Sequence, residues 1–357
     1  MALAYVPSEA QHDEVYGKTF ALYGKDELIE FIRPFQQRFV ANGIDAAATF
    51  NGKHCLDAGC GGGRGSIFML MNGARSVEAF DFSERNVDTT RRNVSRFGYG
   101  NTNVQRGTLA RLPFADGSFD FVWCNGVLQH AADPDACLKE ITRVLRVGGQ
   151  AWIYVYGTGG VFWYAVRRFR QWFRTINTDA CIAALRLLRC ETRYVAEYLD
   201  DWKVDFLRTY SAQDLSRRMA QLGYQQPTLL KYGVSYDTSH RINMFPNDAV
   251  WLGDGDLRYL ATKTDQGIAG DTPLPIGEYG STDDFALAVR GRFEGLFDEL
   301  EKQVAGKPLL AVATAANLQR ALRDQMTTPE AFDPAVFEAQ IRQSLDWIRT
   351  WRAGLGT

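Results

Sequence analysis

From residue 54 to residue 157 the sequence alternates between two kinds of segment, and this alternation limits the fold more than any other feature. Short apolar runs ("HCLDA", "SVEAFDF", "NVQRGTL", "FDFVWCN", "GQAWIYVYG") take turns with amphipathic stretches at 64–72, 84–97 and 134–146. Strand and helix in turn, joined by short connections, predict a parallel sheet with helices on both faces, a doubly wound α/β arrangement. The first strand-to-helix turn of the series is "DAGCGGGRG" at 57–65. Glycine gives up more backbone entropy on ordering than any other residue, so such a tract marks a place where bare backbone must approach something closely.

The flanks read differently. Residues 1–50 are predicted to form a helical cover: Leu28, Ile32, Phe35 and Phe39 recur at spacings of three and four, and Gly43 is a stop signal. After Gly157 the rhythm breaks. "GVFWYAVRRFRQWFRTI" sets Phe162, Ala165, Phe169, Trp172 and Ile176 on one helical face and Arg167, Arg168, Arg170 and Arg174 around the other. Residues 158–208 are therefore expected to be a helical insertion, and residues 209–264 the end of the sheet. The latter carry a capped helix, a strand, a long polar-aromatic loop at 233–255 and the outer strand "DLRYLATK". Residues 265–277 read as a linker, and 281–357 as about three appended helices. The expected whole is a Rossmann-like, seven-stranded, mostly parallel sheet with helical N-terminal, inserted and C-terminal elements.

Composition removes several functions. Hydrophobic residues make up 46% and charged residues 23%, with a net charge of −2, so the molecule as a whole is no electrostatic trap for nucleic acid. The six cysteines form no C-x-x-C pair and no His/Cys cluster, which argues against a disulfide framework or a metal site. The start "MALAYVPSEAQHDE" lacks the pattern of a signal peptide, and no apolar run approaches the roughly 20 residues of a membrane span. A cytoplasmic protein without an integral membrane segment is expected.

The glycine tract then discriminates between nucleotide cofactors. A dinucleotide fingerprint counted from Gly59 needs glycine at position 64, where Arg64 stands, and no P-loop Lys-Ser/Thr follows. The spacing present is acidic-x-G-x-G-x-G, from Asp57 to Gly63. Together with "VEAFDFSERNV" and "LARLPFADGSFDFVWCNGVLQHAADPDACLKEITRVLRVGGQAWI", the stretch "LDAGCGGG" resembles the class I S-adenosylmethionine-dependent methyltransferases. It looks most like their small-molecule branch, with the ubiquinone/menaquinone-type and natural-product enzymes. The resemblance covers roughly residues 50–157 and, more loosely, 208–263.

That resemblance implies S-adenosylmethionine as cofactor. Asp57 with the backbone of Gly59, Cys60, Gly61 and Gly63 would hold its amino-acid tail and ribose edge. Asp81, closing the second strand, would accept from both ribose hydroxyls, and Phe82 would lie against adenine. Family members commonly place an Asp on the adenine amino group; Thr108 stands there, so that contact falls to Thr108 or to the backbone of Leu109. Acceptor chemistry belongs at the carboxyl ends of the strands. Asn125, on the cofactor side, and Gln129 and His130, on the acceptor side, follow the fourth strand directly. His130 is the leading general-base candidate because its unperturbed pKa lies near neutrality, with packing against the sheet as the alternative. "SYDTSHRI" offers Asp237 and His240 as a second acid–base pair, with Tyr236 and Arg241 as acceptor contacts, the alternative being a solvated loop held by its own hydrogen bonds. Phe162 and Trp163 on the inserted helix read as acceptor-covering aromatics, with a dimer surface or a membrane-lying helix as alternatives.

The expected function is methyl transfer to an oxygen or carbon nucleophile, less readily nitrogen, of a small and partly apolar metabolite, with a homodimer possible. Two other functions stay open: a cofactor-binding protein that transfers no methyl, and a methyltransferase acting on a macromolecule.

Overall fold

The structure, a computed structural model, describes residues 9–173, 175–264, 284–328 and 330–354. Its elements in chain order begin with the N-terminal helices α1 (Glu9–Thr19), α2 (Lys25–Ala41) and α3 (Ala46–Phe50). Then follow β1 (His54–Ala58), α4 (Arg64–Met71), β2 (Ser76–Asp81), α5 (Glu84–Arg96), β3 (Thr102–Arg106), β4 (Phe119–Asn125), α6 (Pro134–Val144) and β5 (Leu145–Tyr156). Three helices interrupt: α7 (Gly160–Phe173), α8 (Thr178–Leu187) and α9 (Thr192–Lys203). The chain continues with α10 (Ala212–Gln221), β6 (Tyr224–Leu229), α11 (Thr238–Met244), α12 (Ala249–Leu252) and β7 (Asp256–Lys263). It ends in α13 (Asp284–Val304), α14 (Pro308–Thr327) and α15 (Pro334–Gly354). The stretch expected as a linker, 265–277, lies outside the described residues.

The strands form one seven-stranded sheet in the order β3-β2-β1-β4-β5-β7-β6, parallel except for β7, which runs antiparallel to both neighbours. The order reverses between β1 and β4, the switch point at which such sheets bind ligands outside their carboxyl ends. Strands become near-continuous apolar runs because both faces are covered. On one face Phe35 and Phe39 of α2, Phe50 of α3 and Phe68 of α4 meet Phe121, Trp123 and Trp152, the two indoles stacked at 4.7 Å and 7°. The opposite face packs Leu56, Val122 and Ile153 against Leu138 and Ile141 of α6 and Leu215 and Met219 of α10. The helical spacing of Leu28, Ile32, Phe35 and Phe39 is thus the spacing of a buried face.

The chain divides into two compact units. The sheet unit comprises 1–157, 204–240 and 256–277; the helical unit comprises 158–203, 241–255 and 278–357. The stretch 233–255, expected as a long loop, carries α11, a 3-10 turn at Pro246–Asp248 and α12, and divides between the units at residue 240. In the helical unit the aromatic stripe of α7 is covered from within. Phe169 meets Phe297 at 5.9 Å and Trp202 at 6.4 Å, and Phe173 next to the stripe stacks on Trp202 at 4.6 Å. Arg168 pairs with Asp298 and Glu301 of α13. The stripe therefore does not call for a second copy or a membrane surface. Among the described residues no helix is long and apolar enough to cross a membrane.

One buried ionic cluster ties α2 to the far edge of the sheet unit. Arg38 donates twice to Asp237, at 2.6 and 2.7 Å, and Arg258 reaches Asp237 at 3.3 Å and Asp256 at 3.2 Å. The hydroxyl of Tyr154 donates to Asp256, and the Arg258 guanidinium lies over its ring. Burial alone would raise the Asp237 pKa; Arg258 and Arg38 outweigh burial and hold it at about 2, below the ordinary 3.8. A depressed folded-state pKa means this stabilisation is complete above the unfolded pKa and is lost as pH falls towards 2. Removing one charge of a buried pair strands the others and costs about 3–5 kcal/mol. Asp237→Asn is expected to lose that much stability in urea unfolding at pH 7, and the difference from the parent chain should shrink on acidification towards pH 2.

Candidate cofactor and acceptor site

The turn after β1 is built by close approach. The N–H groups of Gly59 and Cys60 both donate to the Phe80 carbonyl on β2, at 2.8 and 3.1 Å. Gly59, Gly61 and Gly63 adopt φ of 85°, 53° and 83°, where a side chain is strained. A Cβ at Gly59 would also lie 2.5 Å from the Val127 side chain, and one at Gly61 2.8 Å from the Phe20 ring. Gly65, in the first turn of α4, would place its Cβ 2.6 Å from Trp123, so glycine there sets how closely helix and sheet meet. The Cys60 thiol is buried beside the Thr90 hydroxyl, and burial raises its pKa, so residue 60 offers a neutral thiol and its backbone.

Two carboxylates end the first two strands. Asp57 is buried, accepts from the Ser66 hydroxyl at 2.6 Å, and has its pKa raised to about 6, chiefly by burial. Asp81 is also buried and raised by burial. Its Oδ2 accepts from the Gly61 N–H at 2.9 Å, and its Oδ1 from the Ser83 N–H at 3.0 Å and Asn86 Nδ2 at 3.2 Å. A carboxylate offers about four acceptor positions, so protein donors already take three. The expected double grip on two ribose hydroxyls therefore requires at least one of these donors to yield. The N-terminal segment closes over this end of the sheet unit: Phe20 lies on the Gly61–Gly62 backbone, and the Ser83 hydroxyl donates to Asp13.

The remaining cofactor candidates take distinct places. Phe82 is half-buried, with His12 at its ring edge. Thr108 is exposed and its hydroxyl accepts from the Ala110 N–H, while the Leu109 side chain is buried in the core. The Asn125 side-chain Oδ1 accepts from the Trp152 indole at 2.9 Å.

On the acceptor side, a 3-10 turn at Leu128–His130 follows β4. His130 donates from Nδ1 to the Phe206 carbonyl at 2.9 Å, since a carbonyl oxygen can only accept. Its ring lies edge-on to Tyr16 and Tyr156, at 5.6 and 5.8 Å. Gln129 beside it is fully buried, yet neither end of its side-chain amide has a protein partner; Asn86 Oδ1 is likewise unpartnered. Leaving such a buried group unmet costs roughly 1–3 kcal/mol.

The second cluster does not assemble as expected. Asp237 faces Arg38 and Arg258 rather than His240, and a carboxylate held between two guanidinium groups is a poor proton acceptor. His240 instead lies by the Gly233 N–H at 3.4 Å. Arg241 is not an acceptor contact: it is buried in the helical unit, paired with Asp248 and donating to the carbonyls of Met326, Thr328 and Glu330, where it caps the end of α14. Tyr236 is exposed in the sheet unit, and Phe162 and Trp163 form an edge-on ring pair at 5.2 Å in α7. Sequence reasoning missed Ser66, Asn86, Phe20 and His12. Only Ser66 left a signal, a hydroxyl in the first helical turn after the glycine tract.

Comparison with known proteins matches residues 56–153 to the family model described as a methyltransferase domain. The chain is 27% identical over 221 residues to a ubiquinone biosynthesis O-methyltransferase of Aromatoleum aromaticum, covering 61% of this chain and 80% of that protein. It is 36% identical over 109 residues to an uncharacterized 37.1 kDa protein in a transposon of Streptomyces fradiae, covering 30% of this chain and 31% of that protein. Identity to a demethylmenaquinone methyltransferase of Bacillus velezensis is 28% over 146 residues, covering 40% of this chain and 63% of that protein. The chain thus spans less than two thirds of the last two.

The residues fit an adenosyl sulfonium. The turn is glycine-rich and has no phosphate-binding lysine, a carboxylate stands at the end of each of the first two strands, and the buried Asn86 Oδ1 and the Gln129 side-chain amide have no protein partner. Asp57 carries the test. A raised folded-state pKa means the folded chain binds a proton between about pH 6 and pH 4 that the unfolded chain does not, so stability falls as pH rises through 6. Asp57→Asn keeps an acceptor for Ser66 and is expected to raise stability at pH 7.5 by about 2–3 kcal/mol. The gain should vanish near pH 4, while calorimetry with S-adenosylhomocysteine shows affinity at least about tenfold weaker. Residues 56–153 are thus a methyltransferase domain, and over it the chain is similar to S-adenosylmethionine-dependent methyltransferases of class I.

Proposed function

We propose that this methyltransferase acts on an oxygen or carbon nucleophile, less readily a nitrogen, of a small, partly apolar metabolite in a biosynthetic sequence, with His130 as general base. The observation that carries the reading is the contact between His130 Nδ1 and the Phe206 carbonyl. Donation from Nδ1 to the Phe206 carbonyl makes Nε2 the basic nitrogen of the neutral ring, at the carboxyl end of β4. A proton taken from an acceptor hydroxyl, or from an enolisable carbon, would go to Nε2 while the Nδ1–H bond persists, so the imidazolium stays oriented. Bound S-adenosylmethionine supplies an activated methyl, and the chain's own part is to align the nucleophile and receive its proton, alignment being worth roughly 7–11 kcal/mol. The aromatic rings of Tyr16, Tyr156 and Phe206 around the two histidines support a flat, partly apolar acceptor. The unpartnered Gln129 amide supports a polar group on it. One relative named as a ubiquinone biosynthesis O-methyltransferase and another named as a demethylmenaquinone methyltransferase support the same reading.

The test incubates the chain with S-adenosylmethionine and a metabolite extract, follows S-adenosylhomocysteine, and identifies the methylated product by mass. His130→Asn should lower turnover by about 10²–10⁴-fold while S-adenosylhomocysteine binding persists. A product methylated on a basic amine, made equally well by His130→Asn, would refute the assignment.

A further inference from the structure

His12, at the start of the chain and far from the glycine tract in sequence, is bound to the same peptide residue as His130. Its ring is buried and stacks on Phe206 at 5.5 Å and 26°. The Phe206 N–H donates to His12 Nε2 at 3.1 Å, and the Phe206 carbonyl accepts from His130 Nδ1 at 2.9 Å. Residue 206 is therefore held from both sides by imidazoles, one as acceptor and one as donor. The histidine rings lie 6.1 Å apart, with Tyr16 against both and Phe82 against His12.

We infer that His12 is a positioning residue for His130, acting through the backbone on the two sides of the Phe206 Cα to fix which nitrogen of His130 carries the proton. An amide N–H can only donate, so Nε2 of His12 must hold a lone pair, and its proton resides on Nδ1. That bond holds the peptide on one side of the Phe206 Cα, and the peptide on its other side carries the carbonyl that demands a proton on His130 Nδ1. The two rings differ in one respect that matters for proton transfer. His130 can gain a proton on Nε2 and keep its bond to residue 206; His12 cannot gain one on Nε2 without losing its own. The pair thus contains one proton acceptor and one anchor, and the anchor comes from α1. The inference rests on the general-base reading of His130 for its purpose but not for its geometry.

Nitrogen-15 NMR of imidazoles tests it, and the chain has only four histidines to assign. Above neutral pH the parent chain should show His12 and His130 both protonated on Nδ1. His12→Phe keeps an aromatic ring and removes the acceptor, and His130 should then move largely to the Nε2–H form. His12→Gln, whose carbonyl can accept from the Phe206 N–H, should restore Nδ1–H. With an acceptor in hand, His12→Phe should lower kcat about tenfold with little change in KM, and His12→Gln should recover most of it. Either histidine protonated on Nε2 in the parent chain overturns the proposal, as does a folded His12→Phe in which His130 stays Nδ1–H. Should His12→Phe fail to fold, the parent tautomers and His12→Gln decide. None of these spectra needs cofactor or acceptor. A parent chain that failed to bind S-adenosylhomocysteine would refute the methyl-transfer reading and leave the tautomer result standing.

Discussion

The backbone at Gly59, Gly61 and Gly65 lies against its neighbours with no room for a side chain, and the geometry of the site follows from that contact. Two consecutive N–H groups fasten the turn to Phe80 at the end of β2, while Val127, after β4, fills the space where a Cβ of residue 59 would stand. Trp123 does the same at residue 65. The end of β1 is thus gripped on both sides, at the point where strand order reverses. Because the turn is so tight, Asp57 and Asp81 are buried near one another, and each raises the cost of ionising its neighbours. Backbone sterics thereby set the electrostatics.

Aspartates of the sheet unit show two opposite outcomes of burial. Asp237 is enclosed by Arg38 and Arg258, and the attraction outweighs desolvation. Asp57 and Asp81 are enclosed by neutral donors, and desolvation wins. The first arrangement serves the fold; a carboxylate whose ionisation is this costly is the kind of perturbed group that binding sites hold. Residue type alone does not separate these roles, since "SYDTSH" looks as chemical as "LDAGC" in sequence.

That contrast explains what was legible. Period and turn chemistry are local, so β1, β4 and β7 fall where the strings "HCLDA", "FDFVWCN" and "DLRYLATK" put them. The glycine tract is local as well, and its spacing excluded the dinucleotide and P-loop alternatives. Partnerships across the chain were not legible. Asp237 finds Arg38 at a separation of 199 residues, and His12 reaches Phe206 at 194. A nearby His240 made the wrong partner look natural for Asp237, and Arg241, next in sequence, belongs to the other unit altogether. The Asp81 carboxylate was placed correctly at its strand end, but the three donors that occupy it come from the glycine turn and the start of α5.

The helical unit shows why the aromatic stripe of α7 misled. An amphipathic helix with Trp and Phe on one side and Arg on the other needs an apolar partner, and sequence proximity offers none before residue 203 that is sufficient alone. The partner is drawn partly from α9, through Trp202, and partly from beyond residue 284, through Phe297. The middle segment joins the same construction: Trp251 stacks on Phe332 at 3.9 Å, and Arg241 satisfies carbonyls at the end of α14. Three stretches separated by parts of the sheet unit are therefore interdependent. Closing such long loops costs only logarithmically more than closing short ones, whereas an aromatic face left in water costs in proportion to its area. The balance favours one core assembled from distant segments over separate appendages, each with an exposed face.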